Sequence, residues 1–299
     1  MDANITIGLP VYNGEKFIRE SIESILEQTY QNWKMVISDN ASTDGTFSIC
    51  EQYEKQDPRV SVIKQETNIG IARNRNTLLR RADTPYFKWQ DSDDVCAPTF
   101  LEECIRELEQ DKDAVLAYSN VLSIDGNGNI HEGYNYGPDL WSDREDYSVP
   151  DPVLRAKRFI RHRSPAPAYL FGVMRLSAAL NTRLMGSYMA ADEVFLLELI
   201  YQGGFRRVDK VLSFIRNDGT NASALIVSRD LVGLQDRLDP RLSGRFNLLI
   251  SRYRRYIENY IATLRSPLAP QQKAEMLGKC LEVSVQRMPE LAKALAAGR

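Results

Sequence analysis

Four short apolar runs punctuate the first ninety residues, at 5–9, 33–38, 60–64 and 86–89, and the stretches between them repeat their apolar residues at helical spacing. The segment 16–28 sets Phe17, Ile18, Ile22, Ile25 and Leu26 on one face of a helix, residues 71–81 predict a second, a third starts near Thr43, and Pro98 opens a fourth. Strands that are apolar throughout, rather than on alternate residues, need cover on both faces. Helices inserted between them supply that cover only if the strands run parallel. The chain is therefore expected to be α/β, with a mostly parallel sheet flanked by helices.

Beyond residue 100 the pattern loosens. Residues 114–123 predict a strand that runs into the reversal Gly126-Asn127-Gly128-Asn129. The polar, aromatic and proline-punctuated segment 134–152 reads as a lid or binding loop. A basic helix over 153–163, a break at Ser164-Pro165-Ala166-Pro167 and an apolar stretch over 169–180 follow. A helix over 192–201 is expected to stop at Gly203-Gly204, and 208–216 reads as a late strand. From about Ala222 onward the pattern is helical. The expected organisation is one domain over 1–221, with a first half to 125 and a second from 126, and a helical extension over 222–299. A chain of 299 residues can bury a core of that size.

Charge and composition narrow the function classes. Lys and Arg nearly balance Asp and Glu, for a formal net charge of −2, so no basic field attracts nucleic acid. No run approaches the ~18 apolar residues that span a bilayer. A membrane contact would be peripheral, through the C-terminal helices or the basic run Arg155, Lys157, Arg158, Arg161 and Arg163. The opening MDANITIGLPVYN reads as a strand and not as a leader. The four cysteines form no CxxC pair, which fits reduced thiols. A cytoplasmic location, including the inner face of the membrane, is expected. His131 and His162 have no partner at metal spacing and read as surface residues, and neither GxGxxG nor a P-loop occurs. Tyr253, Tyr256 and Tyr260 recur at helical spacing, as in a helix packed on the domain or on a second copy in a homodimer.

Chemistry concentrates at strand ends. Asp91-Ser92-Asp93-Asp94 sets three carboxylates within four residues at the close of the fourth strand, where they repel unless a cation lies among them. Carboxylate oxygens suit Mg²⁺ or Mn²⁺, ions that take remaining ligands from substrate phosphates. The competing reading is an acidic helix start before Pro98. A second polar loop, Ser38-Asp39-Asn40-Ala41-Ser42-Thr43-Asp44-Gly45-Thr46, closes the second strand, and ligands of open parallel sheets collect at that edge. Helix capping accounts for Asp44 better than for Asp39.

In order, Pro10-Val11-Tyr12-Asn13, Asp39-Asn40-Ala41-Ser42-Thr43-Asp44, Asn68-Ile69-Gly70-Ile71-Ala72-Arg73-Asn74 and Asp91-Ser92-Asp93-Asp94 resemble the P-x-Y-N, D-D-G-S-T-D, N-x-G-x-x-x-A-R-N and D-x-D-D motifs of the family 2 glycosyltransferases. The resemblance is close to about residue 125 and weaker to about 225. It implies the GT-A fold and inverting transfer from a nucleotide diphosphate sugar, most often a uridine one, to a hydroxyl of a glycan or lipid-linked saccharide. By the same resemblance Tyr12 lies against the base and Asp39 accepts a hydrogen bond from it. Pro10, Asn13, Asn68, Gly70, Arg73 and Asp91 lie around the nucleotide. Asp93 and Asp94 divide ribose and metal between them. The family's acidic pair at the start of a glycine-terminated helix falls on Asp192 and Glu193, with Asp192 the base and Glu193 its reserve. Where the family often carries a late histidine, this chain has Asp218 after Arg216-Asn217, an oxygen donor that still suits Mg²⁺ or Mn²⁺. A nucleotide-sugar-binding protein without catalysis and a sugar-1-phosphate nucleotidyltransferase are the alternatives, although the second normally carries a glycine-rich basic loop where Pro10-Val11-Tyr12-Asn13 stands.

Overall fold

The computed structural model describes residues 3–130, 146–161, 167–218, 239–240 and 245–297. The first half follows the alternation: β1 Ile5–Val11, α1 Ile18–Leu26, β2 Trp33–Asp39, α2 Thr46–Gln56, β3 Val60–Lys64, α3 Ile71–Arg81 and β4 Tyr86–Trp89. β1 is buried at all seven positions, as expected of a strand covered on both faces. It pairs in parallel with β2 and β4, and β2 pairs in parallel with β3. That register sets Val11 opposite Asp39 and Gly8 opposite Trp89, so the three carboxyl ends open on one edge of the sheet.

The second half inserts antiparallel strands. After β5 Val95–Cys96, α4 Phe100–Gln110 and β6 Ala114–Ile124 come α5 Pro152–Arg161, α6 Pro167–Leu170, β7 Val173–Arg175, α7 Leu176–Leu180, α8 Ala191–Ile200 and β8 Gly204–Arg216. The sheet order is β3-β2-β1-β4-β7-β6-β8-β5. β7 is antiparallel to both β4 and β6, whereas β6 and β8 are parallel. Long β8 also carries β5 antiparallel, which brings the chain just after the acidic cluster to its far end. This late strand starts at Gly204, earlier than the apolar pattern implied, because its first residues pair with the buried start of β6.

Two apolar layers sandwich the sheet. One holds Ile18, Ile22, Ile49, Phe100 and Leu101 from α1, α2 and α4. The other holds Leu78, Trp89, Phe195, Ile200 and Tyr201, and continues into Ala262, Met276 and Cys280 of the C-terminal helices α9 Arg245–Arg265 and α10 Pro270–Ala297. The C-terminal hairpin thus shares the core of the sheet. Residues 131–145, most of the expected lid, and 162–166 lie outside the described residues, and with them His131, His162 and Arg163. At the described end of the lid segment Tyr147 is buried among Phe159, Tyr169 and Phe205. The segment 219–238, the start of the expected helical extension, also lies outside the described residues.

Helix α8 stops where expected, and close approach explains the glycine. A Cβ on Gly203 would stand 2.4 Å from the carbonyl oxygen of Asp113. Gly203→Ala should therefore lower stability by about 1–3 kcal/mol, read as a fall in the urea midpoint with unchanged slope.

Candidate functional site

The first two loops are laced together before they can meet a ligand. Asn13 enters the left-handed region at φ 53°, which its short polar side chain tolerates. Its N–H donates to Ser42 Oγ at 2.9 Å, and its Oδ1 accepts from the Thr43 N–H at 2.8 Å. Asp44 accepts from the N–H groups of Glu15 and Thr46, so it closes the loop and starts α2. Asp39, in contrast, is fully buried at the end of β2. One carboxylate oxygen accepts from the Ser42 N–H at 3.2 Å, and the other has no hydrogen-bond partner among the described residues. Pro10 is buried in β1, while Tyr12, at the mouth, stays 47% exposed. The edge thus carries an accessible ring near a buried acceptor that lacks a donor.

The third motif joins the same lattice. Asn68 Oδ1 accepts from Asn40 Nδ2 and from the Gly70 N–H, both at 2.9 Å, and Asn40 Oδ1 accepts from the Ile69 N–H. Gly70 sits at φ 83° as α3 begins, a conformation that side chains resist. Asn74 donates to the Ser38 carbonyl at 2.9 Å. Arg73, expected at the nucleotide, is half-exposed and pairs with the buried Asp239 at 3.3 Å. Arg75, two residues on, is the buried one. Its Nη2 donates to both carboxylate oxygens of Asp91, at 2.6 and 2.8 Å, and its guanidinium lies 5.5 Å from the Phe171 ring centroid.

Carboxylate oxygens of Asp91, Asp93 and Asp94 all lie within 4.8 Å of one another. The group crowds charge where water is scarce. Burial, then Asp91 and Asp218, push Asp93 up to about 7 against the pull of Arg216. Burial, then Asp93 and Asp91, hold Asp94 well above the ordinary carboxylate range, opposed by the Arg216 N–H and Lys88. Three hard oxygen donors that repel one another are a donor set for Mg²⁺ or Mn²⁺. Asp91 is engaged by Arg75, and one oxygen of Asp94 accepts from the Arg216 N–H at 3.0 Å, so Asp93 and the second oxygen of Asp94 are the donors best placed to hold an ion. Asp218 is buried beside them, electrostatically coupled to Asp93 and 3.4 Å from Lys16 Nζ.

Arg216 was not among the sequence candidates, yet it fixes the cluster's backbone. Its guanidinium donates to the carbonyls of Asp93 and Asp125 at 2.9 and 3.0 Å, pairs with Glu20 of α1, and lies 4.3 Å from the Phe17 ring centroid. Its sequence signal was its place two residues before Asp218, where the family often carries an arginine ahead of its late histidine. Lys88 had no such signal: fully buried in β4, it donates to the Trp89 carbonyl and to Gln90 Oε1 beneath the cluster.

Asp192 and Glu193 open α8 without a side-chain cap, after Ala190 in the left-handed region at φ 60°. That conformation costs an alanine about 1–2 kcal/mol, so tertiary contacts must hold this turn. Glu193 pairs with Arg255 of α9 at 3.2 Å. Asp192 is half-buried, and burial raises its carboxyl above the usual range, while Arg75, the first-turn N–H groups and Arg255 pull it back. The chain thus brings Asp192 within electrostatic reach of the arginine that grips Asp91, about a hundred residues earlier.

The family model for glycosyl transferase family 2 matches residues 6–171, more than half of the chain. The chain belongs to that family. The nucleotidyltransferase alternative gives way to this membership. The glycosyltransferase GlyG of Streptococcus pneumoniae serotype 4 is 36% identical over 129 residues, 42% of this chain and 43% of that protein. The chain spans about half the length, or less, of the curated relatives it matches. In fold it resembles TarS 1–349 of S. aureus in complex with UDP-GlcNAc, with a TM-score of 0.66 at 17% identity over 99% of this chain and 80% of that one. It also resembles the mannosyltransferase PcManGT of Pyrobaculum calidifontis in complex with GDP-Man and Mn²⁺, with a TM-score of 0.59 at 17% identity over 99% and 75%. These likenesses bear out the α/β GT-A fold with its helical C-terminal segment. Among the described residues no helix is long and apolar enough to cross a membrane.

The raised carboxyl of Asp93 carries a pH signature. Between its ordinary value of 3.8 and about 7 the folded chain holds a proton that the unfolded chain has released, so without metal its contribution to stability falls as pH rises through that window. Thermal melts from pH 4 to 8 should show this fall, and Asp93→Asn should flatten it. Because Mn²⁺ requires the deprotonated form, its stabilising shift should be larger at pH 7.5 than at pH 5.

Proposed function

We propose that this chain transfers a sugar from a nucleoside diphosphate onto an acceptor hydroxyl with inversion at the anomeric carbon, and that Asp192 takes the hydroxyl proton. The observation that carries this reading is the convergence on Arg75, which grips Asp91 of the acidic cluster while its charge also acts on Asp192. A diphosphate held at the cluster and a hydroxyl held at Asp192 would then meet across a short gap.

The chain's own groups divide the work. Tyr12 offers a ring for the base to lie against, and the unpartnered oxygen of Asp39 suits a ring N–H, which uracil and guanine both carry. Uridine is our first choice. Asn13, Asn68 and Gly70 hold the loops that shape this end, Pro10 closes β1 beneath them, and Arg73 borders it on α3. Asp93, Asp94 and Asp218 would hold Mn²⁺ or Mg²⁺, which when bound neutralises the charge that develops on the leaving diphosphate. Asp192, raised by burial yet kept ionisable by two guanidinium groups, suits a general base working above the ordinary carboxylate range. Attack from the face opposite the nucleotide inverts the sugar. Glu193, committed to Arg255, is the less suited of the pair. The acceptor is proposed to be a saccharide or a lipid-linked saccharide, reached by a peripheral membrane contact in the second case.

A thermal-shift panel of uridine, guanosine, thymidine and cytidine diphosphates, with and without Mn²⁺, tests the donor half. A ligand at about 100 times its dissociation constant should stabilise by about 2.7 kcal/mol, and Asp94→Ala should abolish the metal-dependent shift. For the transfer half, Asp192→Asn should leave that shift intact and lower turnover by about 10²–10⁴-fold, while wild-type activity declines through an acid limb above the ordinary carboxylate range. Wild-type turnover by the mutant would move the base elsewhere. Donor binding without turnover in any acceptor screen would favour a binding protein.

A further inference from the structure

The first turn of α8 has to be held from outside. It carries Asp192, follows a left-handed alanine, lacks a side-chain cap, and is fed by residues 184–190, in which Leu184 is also left-handed at φ 63°. Asn76 bonds both the N–H and the carbonyl of Met185, and the Ala191 N–H donates to the Tyr188 carbonyl, but none of these bonds reaches the acidic pair. The C-terminal hairpin does. Arg255 of α9 donates through Nη1 to both oxygens of Glu193 at 3.2 Å, and its Nη2 donates to the Tyr256 hydroxyl at 3.2 Å, which fixes the guanidinium. Further along the same two helices, Arg183 bridges Glu198 of α8 and Glu258 of α9, and the buried hydroxyls of Tyr201 and Thr263 bond at 2.8 Å. These contacts clamp the rest of α8 to α9. At the turn that bears Asp192, Arg255 supplies the ion pair to Glu193, while upstream Arg254 lies 5.0 Å from the Tyr188 ring centroid.

We propose that Arg255 is a positioning residue through which the C-terminal hairpin completes the transfer site: by holding Glu193 it fixes the first turn of α8 and presents Asp192 toward Arg75 and the acidic cluster. This rests on the reading of Asp192 as the base. The charged groups that act on Asp192 are Arg75 from α3, itself bonded to Asp91, and Arg255 from α9, with Glu193 beside it on its own helix. Arg255 therefore acts twice, as a tether and as one of two cations whose charge reaches the base. On this view the helical extension is part of the catalytic unit.

The test uses the full chain with Arg255→Met, Arg255→Lys and, as a comparator on the same helix, Arg254→Met, which removes a partly exposed pair with Glu258 and a cation–π contact with Tyr188 but leaves the Arg255–Glu193 pair in place. Amide exchange over residues 191–195 should quicken by about tenfold in Arg255→Met, stay within about twofold in Arg254→Met, and be partly restored in Arg255→Lys, with the amides of β1 and β2 unchanged. With the donor found in the nucleotide panel, Arg255→Met should lower kcat by about tenfold at a donor KM within about twofold of wild type, and move the acid limb to higher pH. Unchanged exchange over 191–195, or a uniform rise across the whole chain, would overturn the proposal, because the first turn would then not depend specifically on this tether. Turnover that survives Asp192→Asn would instead sink the base assignment, and the exchange result for Arg255 would still stand on its own.

Discussion

Three carboxylates at the end of β4 have to be kept together in a partly buried edge, and much of the molecule is arranged around that requirement. Like charges at such short range raise one another's proton affinity, and burial adds to the effect. The chain offsets them from three directions. Arg75 comes from α3, Arg216 from the end of β8, and Lys88 from beneath, within β4 itself. Each is buried, which is expensive for a cation unless its hydrogen bonds are met: the carbonyls of Asp93 and Asp125 take bonds from Arg216, the Trp89 carbonyl takes one from Lys88, and the Asp91 carboxylate takes those of Arg75 Nη2, while Arg75 Nε has no hydrogen-bond partner among the described residues. The cluster is thus tensioned between its own repulsion and fixed positive charge, a state suited to exchanging protons for a divalent ion.

The same arginines explain why the second half of the sheet has its topology. Arg216 reaches the cluster because β8 pairs along β6 and carries β5 on its outer side, so the chain leaving the acidic motif is stitched to the strand that ends at Arg216. Glu20 and Phe17 of the α1 region close around its guanidinium from the other side. The opposite face of the sheet is organised by α8. Its sides are almost wholly apolar and embedded between α5, the sheet and the C-terminal hairpin, so only its start can carry polar groups into the crevice.

The motifs Pro10-Val11-Tyr12-Asn13, Asn68-Ile69-Gly70 and Asp91-Ser92-Asp93-Asp94 were legible because each lies at a strand end or helix start whose period is visible in the apolar pattern. Arg73 and Arg75 show what such reading leaves open. Both are arginines on one helix, and the resemblance named Arg73 while nothing in the sequence pointed to the partner of Arg75. The helix rotation in the folded chain buries Arg75 against Asp91 and turns Arg73 toward Asp239, a residue far along the chain. Near the end of the expected lid segment the packing of one aromatic ring was equally invisible: Tyr147 sits against Phe159, Tyr169 and Phe205.

By itself the sequence determined the parallel first half, the edge on which its polar motifs gather and the carboxylates that lie there, because these follow from periodicities of two to four residues and from chain direction. Tertiary structure alone decided which cations answer those carboxylates, that β8 pairs along β6, and that Arg255 meets Glu193. These are contacts between residues tens to hundreds of positions apart. Their partners are selected by packing geometry and by the cost of burying unpaired charge, and neither leaves a local period for the sequence to display.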